Sequence, residues 1–484
     1  MSNSKHLDRR TFLTLVSASV AGGSALGCVS GAIEAVDTGG KTSRPNVIFV
    51  FSDEHRWQSM SFTEMPEVHT PNMARLASQG LEMRQCISNY PVCSPYRGML
   101  MTGQWPYQQG VIDNGITLSP GKNTISGSFQ AAGYHTGYFG KWHLGGVALE
   151  EYGFDESSHW GNTNDHWHST MLTTEGFVER EGYNATLMTD QAFDFVDRNK
   201  EMPFFLMLSL NPPHSDFTDA PEEELARYPE GSLPYRPNVP MDKEKPPRES
   251  NKIWDRTSWI YYRGYHAHIT AVDRELGRIL DRLDEQGLSD NTIVVYTSDH
   301  GSMFGSQGLG SKRQPYEESL RVPFLVRWPG HIEPNTRDTA LFGAIDIMPT
   351  LCGLAGVEAL TECAGHDFAP RILGESSEPN PASQFIMHIQ KLNASNAKNH
   401  PAPLFRGVRT QRHTYAYLED GSELLYDLKA DPYQMNNLAA QPGFTVPAEL
   451  KDALYDWLVQ ARDPYAMKFR MACIEAGYED PLGE

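Results

Sequence analysis

The amino-acid sequence predicts an α/β protein: a large domain on a mostly parallel central sheet flanked by helices, then a smaller C-terminal domain with an antiparallel sheet and a helix. Three observations carry this expectation. Residues 46–52, 204–210 and 291–298 are continuous apolar runs, the pattern of strands buried on both faces of a parallel sheet. Each run ends in polar or ionisable residues: Asp53, Asn211-Pro212-Pro213-His214, and Asp299-His300-Gly301. The carboxyl edge of an open α/β sheet is where ligands bind. After residue 383 the pattern changes to alternating runs, 407–418 and 423–428, joined by the turn Asp420-Gly421.

In chain order, residues 1–44 come first and read as an address. Arg9-Arg10-Thr11-Phe12-Leu13 opens an apolar stretch to Leu26, and small residues lead into Cys28. This resembles a twin-arginine signal, which implies export of a folded chain by the twin-arginine machinery to a bacterial periplasm or cell surface. Leu26-Gly27-Cys28 also loosely resembles a lipoprotein cleavage box, so a lipid anchor on Cys28 and simple cleavage both stay open. Residues 45–375 form the large domain. Within it, 222–251 is rich in Pro and charge and reads as a surface excursion. Residues 259–283 carry Ile269, Val272, Leu276, Ile279, Leu280 and Leu283 near helical spacing and form a long packing helix. Residues 374–383 read as a linker into the C-terminal domain, 376–484, whose helix covers 448–458.

A 484-residue chain can bury a large core. Its formal charge of −20 argues against nucleic-acid binding and gives no long-range attraction for an anion, so an anionic substrate would need a local cationic pocket. After the N-terminus no apolar run approaches the roughly 20 residues of a spanning helix, so the mature chain has no transmembrane domain. Six cysteines are too few for a disulfide scaffold; Cys352 and Cys363 are either a pair or two core thiols.

Four blocks hold residue types that could do chemistry. In Cys93-Ser94-Pro95-Tyr96-Arg97-Gly98-Met99-Leu100-Met101-Thr102-Gly103, Ser94-Pro95 reads as a capped helix start, with Cys93 just ahead of the positive helix end. Asp53, Glu54, Asp299 and His300 make an oxygen-rich set suited to a hard divalent cation. Gly140-Lys141-Trp142-His143-Leu144-Gly145 would turn Lys141 and His143 to one face if the segment is a strand. Lys312 lies in Gly310-Ser311-Lys312-Arg313, ahead of Tyr316-Glu317-Glu318-Ser319. Residues 155–170, with His159, Trp160, His166, Trp167 and His168, read as a loop that could face a sugar or hold a cupric or zinc ion. The sequons at Asn184 and Asn393 read as chance matches beside a bacterial-type signal.

The Cys93 block, with Pro two and Arg four residues on and Thr-Gly closing it, resembles the signature of the type I, formylglycine-dependent sulfatases of the alkaline phosphatase-like superfamily. The resemblance runs over roughly residues 45 to 440, in five ordered blocks. It implies that a formylglycine-generating maturation enzyme oxidises Cys93 to Cα-formylglycine, whose hydrate attacks sulfur. It also implies Ca2+, or alternatively Mg2+, bound by Asp53, Asp299, His300 and the residue-93 oxygen. Glu54 stands where many members have a second Asp and others Gln, which leaves its ligation open. By the same resemblance Lys141 bridges sulfate and formylglycine, His143 takes a proton as sulfate is expelled, and His214 contacts sulfate and the leaving oxygen. Lys312 donates to the leaving group, and Arg97 orients residue 93 and balances nearby carboxylates.

The expected substrate is a sulfated small molecule or glycan, with an aryl, alkyl or carbohydrate alcohol as leaving group and segments 155–170, 220–252 and 390–409 as contacts. A phosphonate monoester or phosphodiester hydrolase can use the same cysteine signature with an Asp-His pair, and His300 keeps that alternative open. A non-catalytic glycan-binding lipoprotein would require an unmodified Cys93.

Overall fold

The computed structural model describes residues 44–146, 148–240, 258–390 and 402–478. The signal-like segment with Cys28, residues 241–251 of the excursion and 252–257 after it, residues 391–401 and the Asn393 sequon lie outside them.

Ten strands form the main sheet: β1 (Asn46–Ser52), β2 (Leu81–Ile87), β3 (His135–Lys141), β4 (Glu156–Trp160), β5 (His168–Thr173), β6 (Gly176–Glu181), β7 (Phe204–Leu210), β8 (Thr292–Ser298), β9 (Phe324–Arg327) and β10 (Thr336–Gly343). Their order is β10-β2-β9-β8-β1-β7-β3-β4-β5-β6. The centre, β8-β1-β7-β3-β4, is parallel, whereas β9 runs antiparallel to both its neighbours and β5 and β6 continue the far edge antiparallel.

All seven residues of β1 are buried because both faces are covered. Val47, Phe49 and Phe51 point into one core layer, Ile48 and Val50 into the other, as the two-residue period of a strand dictates. The expected long helix is Trp259–Glu285 and covers the second layer with Ile269, Val272, Leu276, Ile279, Leu280 and Leu283. Helices Cys93–Thr102, Ile125–Ala131 and Ala344–Ala355 cover the first.

The second sheet is antiparallel, β11 (Ser383–His388), β12 (Phe405–Thr410), β13 (His413–Leu418) and β14 (Glu423–Asp427). The run 407–418 is therefore two strands, because Thr410 Oγ1 accepts the backbone N–H of Arg412 and His413 and turns the chain there. Residues 155–170 are likewise not a loop throughout: β4 and the start of β5 occupy both ends. Within the excursion, Glu222–Ala226 is a short helix. The expected C-terminal helix is Ala448–Gln460, and a second, Ala466–Glu475, follows it. Trp105 joins the two sheets' layers, packing edge-on against Phe385 at 5.6 Å and Trp457 at 5.8 Å. Cys352 and Cys363 are free thiols, not a disulfide. Asn184 is fully buried at a helix start, which closes that sequon to glycosylation. No helix among the described residues is long and apolar enough to cross a membrane.

Candidate active site

The helix carrying Cys93 begins at Cys93 itself, with Val92 as an extended N-cap and no capping side chain. Ser94 therefore does not cap it. Its hydroxyl donates to the His143 carbonyl at 2.6 Å, and its N–H donates to Asn114 Oδ1 at 3.0 Å. Cys93 thus lies in the first turn, where helix N–H groups favour negative charge.

The carboxylates reach it because β1 and β8 are parallel neighbours in register, Ser52 beside Ser298, so Asp53 and Asp299 leave the sheet side by side. The turn between them is tight. Glu54 has φ 77°, in the left-handed region, its N–H donates to Asp299 Oδ1 at 3.0 Å, and its carbonyl accepts from the Tyr265 hydroxyl at 2.8 Å. Arg97, one helical turn beyond Cys93, spans the pair at 3.3 Å from Asp53 Oδ2 and 3.3 Å from Asp299 Oδ2. It is also held by the Lys141 carbonyl at 2.6 Å and Ser209 Oγ at 2.8 Å. Ser209 and Tyr265 carried no sequence signal, since each is an ordinary residue within an apolar strand or helix.

Lys141 ends β3 and its Nζ lies 2.6 Å from Asp53 Oδ2 and 4.0 Å from Cys93 Sγ. Lys312 Nζ lies 3.1 Å from Cys93 Sγ, 3.1 Å from His300 Nε2 and 3.4 Å from Glu54 Oε2. His300 Nε2 is 3.3 Å from Cys93 Sγ and 3.4 Å from Asp299 Oδ1. Its Nδ1 lies 3.0 Å from the Gly301 carbonyl and donates to it, which aims Nε2 at the cluster. His214 repeats the device, with Nδ1 at 3.0 Å from the Ser215 carbonyl and Nε2 4.0 Å from Glu54 Oε2. Contrary to the expectation of a shared strand, His143 lies beyond the strand that carries Lys141. β3 has already ended, and φ of 56° at His143 turns its ring back toward Cys93.

Burial and Asp53 oppose ionisation of the Cys93 thiol, yet Lys141, Lys312 and His300 outweigh them and hold it well below the usual thiol range. Asp53 is likewise held well down: burial opposes this, and Lys141 leads the groups that overcome it. Asp299 pays for that neighbour, since burial and the Asp53 charge push its acid midpoint up to about 7. Burial, then Lys141, lowers His214 to about 3, and burial lowers His143, so both rings are neutral near pH 7.

Ligand atoms of Asp53, Cys93, Asp299 and His300 lie within 4.8 Å of one another, as do those of Asp53, Glu54 and His214. Two facing carboxylates, one of them forced toward neutrality by the other, with the Nε2 of an imidazole aimed between them, fit a hard divalent cation, whose binding displaces any proton on that nitrogen. The residue-93 position fits an oxygen-bearing side chain, because Sγ finds both an acceptor, Asp53 Oδ1 at 3.7 Å, and cationic donors. His166, from the 155–170 segment, joins Asp219 and His268 instead, while exposed His168 pairs with Asp165.

A charged cluster at the carboxyl edge of such a sheet is the architecture of the alkaline phosphatase-like enzymes. The chain belongs to the sulfatase family, whose model matches residues 45–357, and is by that membership a sulfuric ester hydrolase. The C-terminal model of N-sulphoglucosamine sulphohydrolase matches residues 305–461. An ulvan-active sulfatase of Formosa agariphila is 30% identical over 451 residues, covering 90% of this chain and 84% of the relative. An endo-4-O-sulfatase of Bacteroides thetaiotaomicron is 32% identical over 492 residues, covering 88% and 94%. A solved structure, described as in complex with its substrate D-glucosamine-2-N,6-O-disulfate, aligns with a TM-score of 0.78 at 26% identity, covering 87% of this chain and 99% of that one.

Proposed function

We propose that this chain hydrolyses a sulfate ester on a carbohydrate and releases inorganic sulfate, using formylglycine made from Cys93 and a divalent cation, Ca2+ or Mg2+. The observation that carries the reading is the convergence of Asp53, Cys93, Lys141, His300 and Lys312, from five separated segments, on one point. Ulvan and a glucosamine disulfate, named for two of these relatives, support the substrate class. Residues 45–375 bear the site, 376–484 form the C-terminal domain, and 1–44 serve export, with Cys28 as lipid anchor or a cleaved signal.

Asp53, Asp299, His300 and the residue-93 side chain would hold the cation, with Glu54 on the same acidic wall. When present, the cation and formylglycine supply charge neutralisation at the sulfuryl oxygens, an attacking oxygen, and a way to expel sulfate that a serine ester lacks. The encoded side chains do the rest. Arg97 offsets the Asp53–Asp299 repulsion and stays out of reach of substrate. Lys141 and Lys312 aim N–H donors where sulfuryl charge develops. The Nδ1 proton of His214 is committed to Ser215, so its Nε2 orients as an acceptor. Cys93, Glu54 and Asp53 hold Lys312 cationic against burial, which makes Lys312 the donor to the departing alcohol oxygen. His143, neutral at working pH, takes the proton as sulfate leaves.

The test is a panel of defined sulfated saccharides and matched phosphate and phosphonate esters, with enzyme produced alongside a formylglycine-generating enzyme. Sulfate release should fall at least about 10⁴-fold in Cys93→Ala. Equal turnover by both proteins would overturn the mechanism, and preference for the phosphonate ester would move the activity to that hydrolase class. Mass spectrometry of the peptide spanning residues 85–97 reads the oxidation of Cys93 directly.

A further inference from the structure

Three side chains that this mechanism does not use meet elsewhere. His166 lies just before β5, Asp219 in the segment that follows His214, and His268 in the middle of the long helix. His166 Nδ1 is 2.8 Å from Asp219 Oδ1, and His268 Nε2 is 3.3 Å from the same oxygen. The Asp216 carbonyl oxygen adds a fourth polar atom, 2.9 Å from His268 Nε2. The imidazole and carboxylate atoms all lie within 4.8 Å of one another. Both histidines are fully buried, while the Asp219 side chain is 25% exposed and gives the cluster an opening to solvent. Among the described residues no Lys or Arg pairs with Asp219.

We propose that His166, Asp219 and His268 bind a divalent transition-metal ion of the Zn2+ type, with the Asp216 carbonyl oxygen as fourth ligand. Tetrahedral ligands about 2.0–2.1 Å from zinc lie about 3.3 Å from each other. Of the six ligand pairs, three stand at 2.8, 2.9 and 3.3 Å, equal to that spacing or up to about half an ångström inside it, and the two imidazole nitrogens lie within 4.8 Å of each other, so metal entry asks these atoms to move apart rather than be gathered. Two imidazoles, one carboxylate and one carbonyl suit zinc better than Ca2+ or Mg2+.

The protons balance as well. A neutral imidazole carries one N–H, and Tyr183 Oη lies 2.8 Å from His268 Nδ1. Without metal, His268 Nε2–H donates to Asp216 and Tyr183 donates to Nδ1. With metal, the ring proton sits on Nδ1 and the Tyr183 hydroxyl turns to accept it, while the proton between His166 Nδ1 and Asp219 moves to His166 Nε2, so both rings free a nitrogen without releasing a proton. That leaves the His268 ring oriented by a hydrogen bond from its other nitrogen, the usual support of a metal-bound histidine. Burial, then His166, lowers His268 to about 4, so its ring is neutral at pH 7. The ion would clamp the β4–β5 connection and the long helix to the segment behind His214, where Asp216 N–H also donates to the Asn164 carbonyl at 3.1 Å.

The experiment uses the full chain carrying Cys93→Ala, so that no thiol at the active site can hold zinc, saturated with Ca2+ to fill the hard site. The protein is equilibrated with Zn2+, desalted and measured for metal content and Tm. One zinc per chain should be retained, with X-ray absorption showing two imidazole ligands, and zinc should raise Tm. Added Asp219→Asn or His268→Gln, which keep hydrogen-bonding shape, should lower zinc affinity at least tenfold and abolish the Tm rise. Failure of the parent to retain zinc, or equal retention by the variants, overturns the proposal and leaves a hydrogen-bonded clamp. Neither readout depends on sulfate hydrolysis.

Discussion

Two buried clusters set a histidine against a carboxylate and move it in opposite directions. At the sheet edge His300 is raised above the ordinary histidine range: burial opposes the charged ring, but Asp299 outweighs it, with help from Cys93. Against Asp219, His268 falls to about 4, because burial and then the neighbouring His166 prevail. Contact with a carboxylate therefore does not fix a histidine's charge. The sum over its neighbours does. The sheet-edge cluster carries three carboxylates and three permanent cations, Arg97, Lys141 and Lys312, within a few ångströms. The second cluster has one carboxylate, two imidazoles and no Lys or Arg paired with it among the described residues. The first suits a hard ion and an anionic substrate, the second a softer ion.

The charge balance of the first cluster can be broken most severely at Arg97. It is buried and paired with two buried carboxylates, so Arg97→Ala should cost about 3–5 kcal/mol of unfolding free energy in urea, by removing the counter-ion that the two share and leaving Asp53 to Lys141 alone on that side. Added Ca2+ should return part of that loss; a cost below about 1 kcal/mol would show that Arg97 is not the counter-ion argued for. Asp299→Asn should separate function from stability. Sulfate release should drop roughly 10²–10³-fold, the scale of losing one preorganised electrostatic group. Stability of the metal-free protein should hold or rise at pH 7. There the folded carboxyl, with its midpoint near 7, is still about half protonated, whereas the unfolded chain releases that proton above about pH 4. Wild-type stability from this group therefore falls as pH climbs from about 4 to 7, and the amide removes that slope.

How much of this was legible in the sequence depended on whether a residue's partner was encoded nearby. The three central strands and the long helix were readable because their apolar periods are local properties, and Cys93, Lys141 and Lys312 sit in short ordered motifs. Ser94 was misread as a cap because capping depends on one backbone angle at Val92, and its hydroxyl found the His143 carbonyl instead. The 155–170 segment was misread because β5 and β6 are a half-exposed edge pair whose polar residues hide the alternation. His166 could not be matched with Asp219 and His268 at all: each partner lies on a different element, and only the fold brings them together.

A third buried histidine sharpens the comparison. His388, at the end of β11, pairs with no carboxylate among the described residues: its Nε2 lies 3.3 Å from Arg313 and its Nδ1 2.7 Å from the Pro403 carbonyl. Yet burial, followed by Arg313, brings it to about 4, the same value as His268 beside Asp219. If burial dominates both, each should leave the same mark on acid unfolding. Its folded midpoint is depressed, so between pH 6.5 and about 4 the unfolded chain binds a proton that the folded ring refuses. Stability then rises with pH across that window by up to about 1.4 kcal/mol per unit, and is lost as pH falls. His388→Gln, whose amide can still meet Pro403, should lower that slope by about one proton when urea unfolding is followed from pH 6.5 to 4. His268→Gln should do the same in zinc-free protein. An unchanged slope in His388→Gln would mean that this ring charges inside the fold, and burial would then no longer account for His268 either.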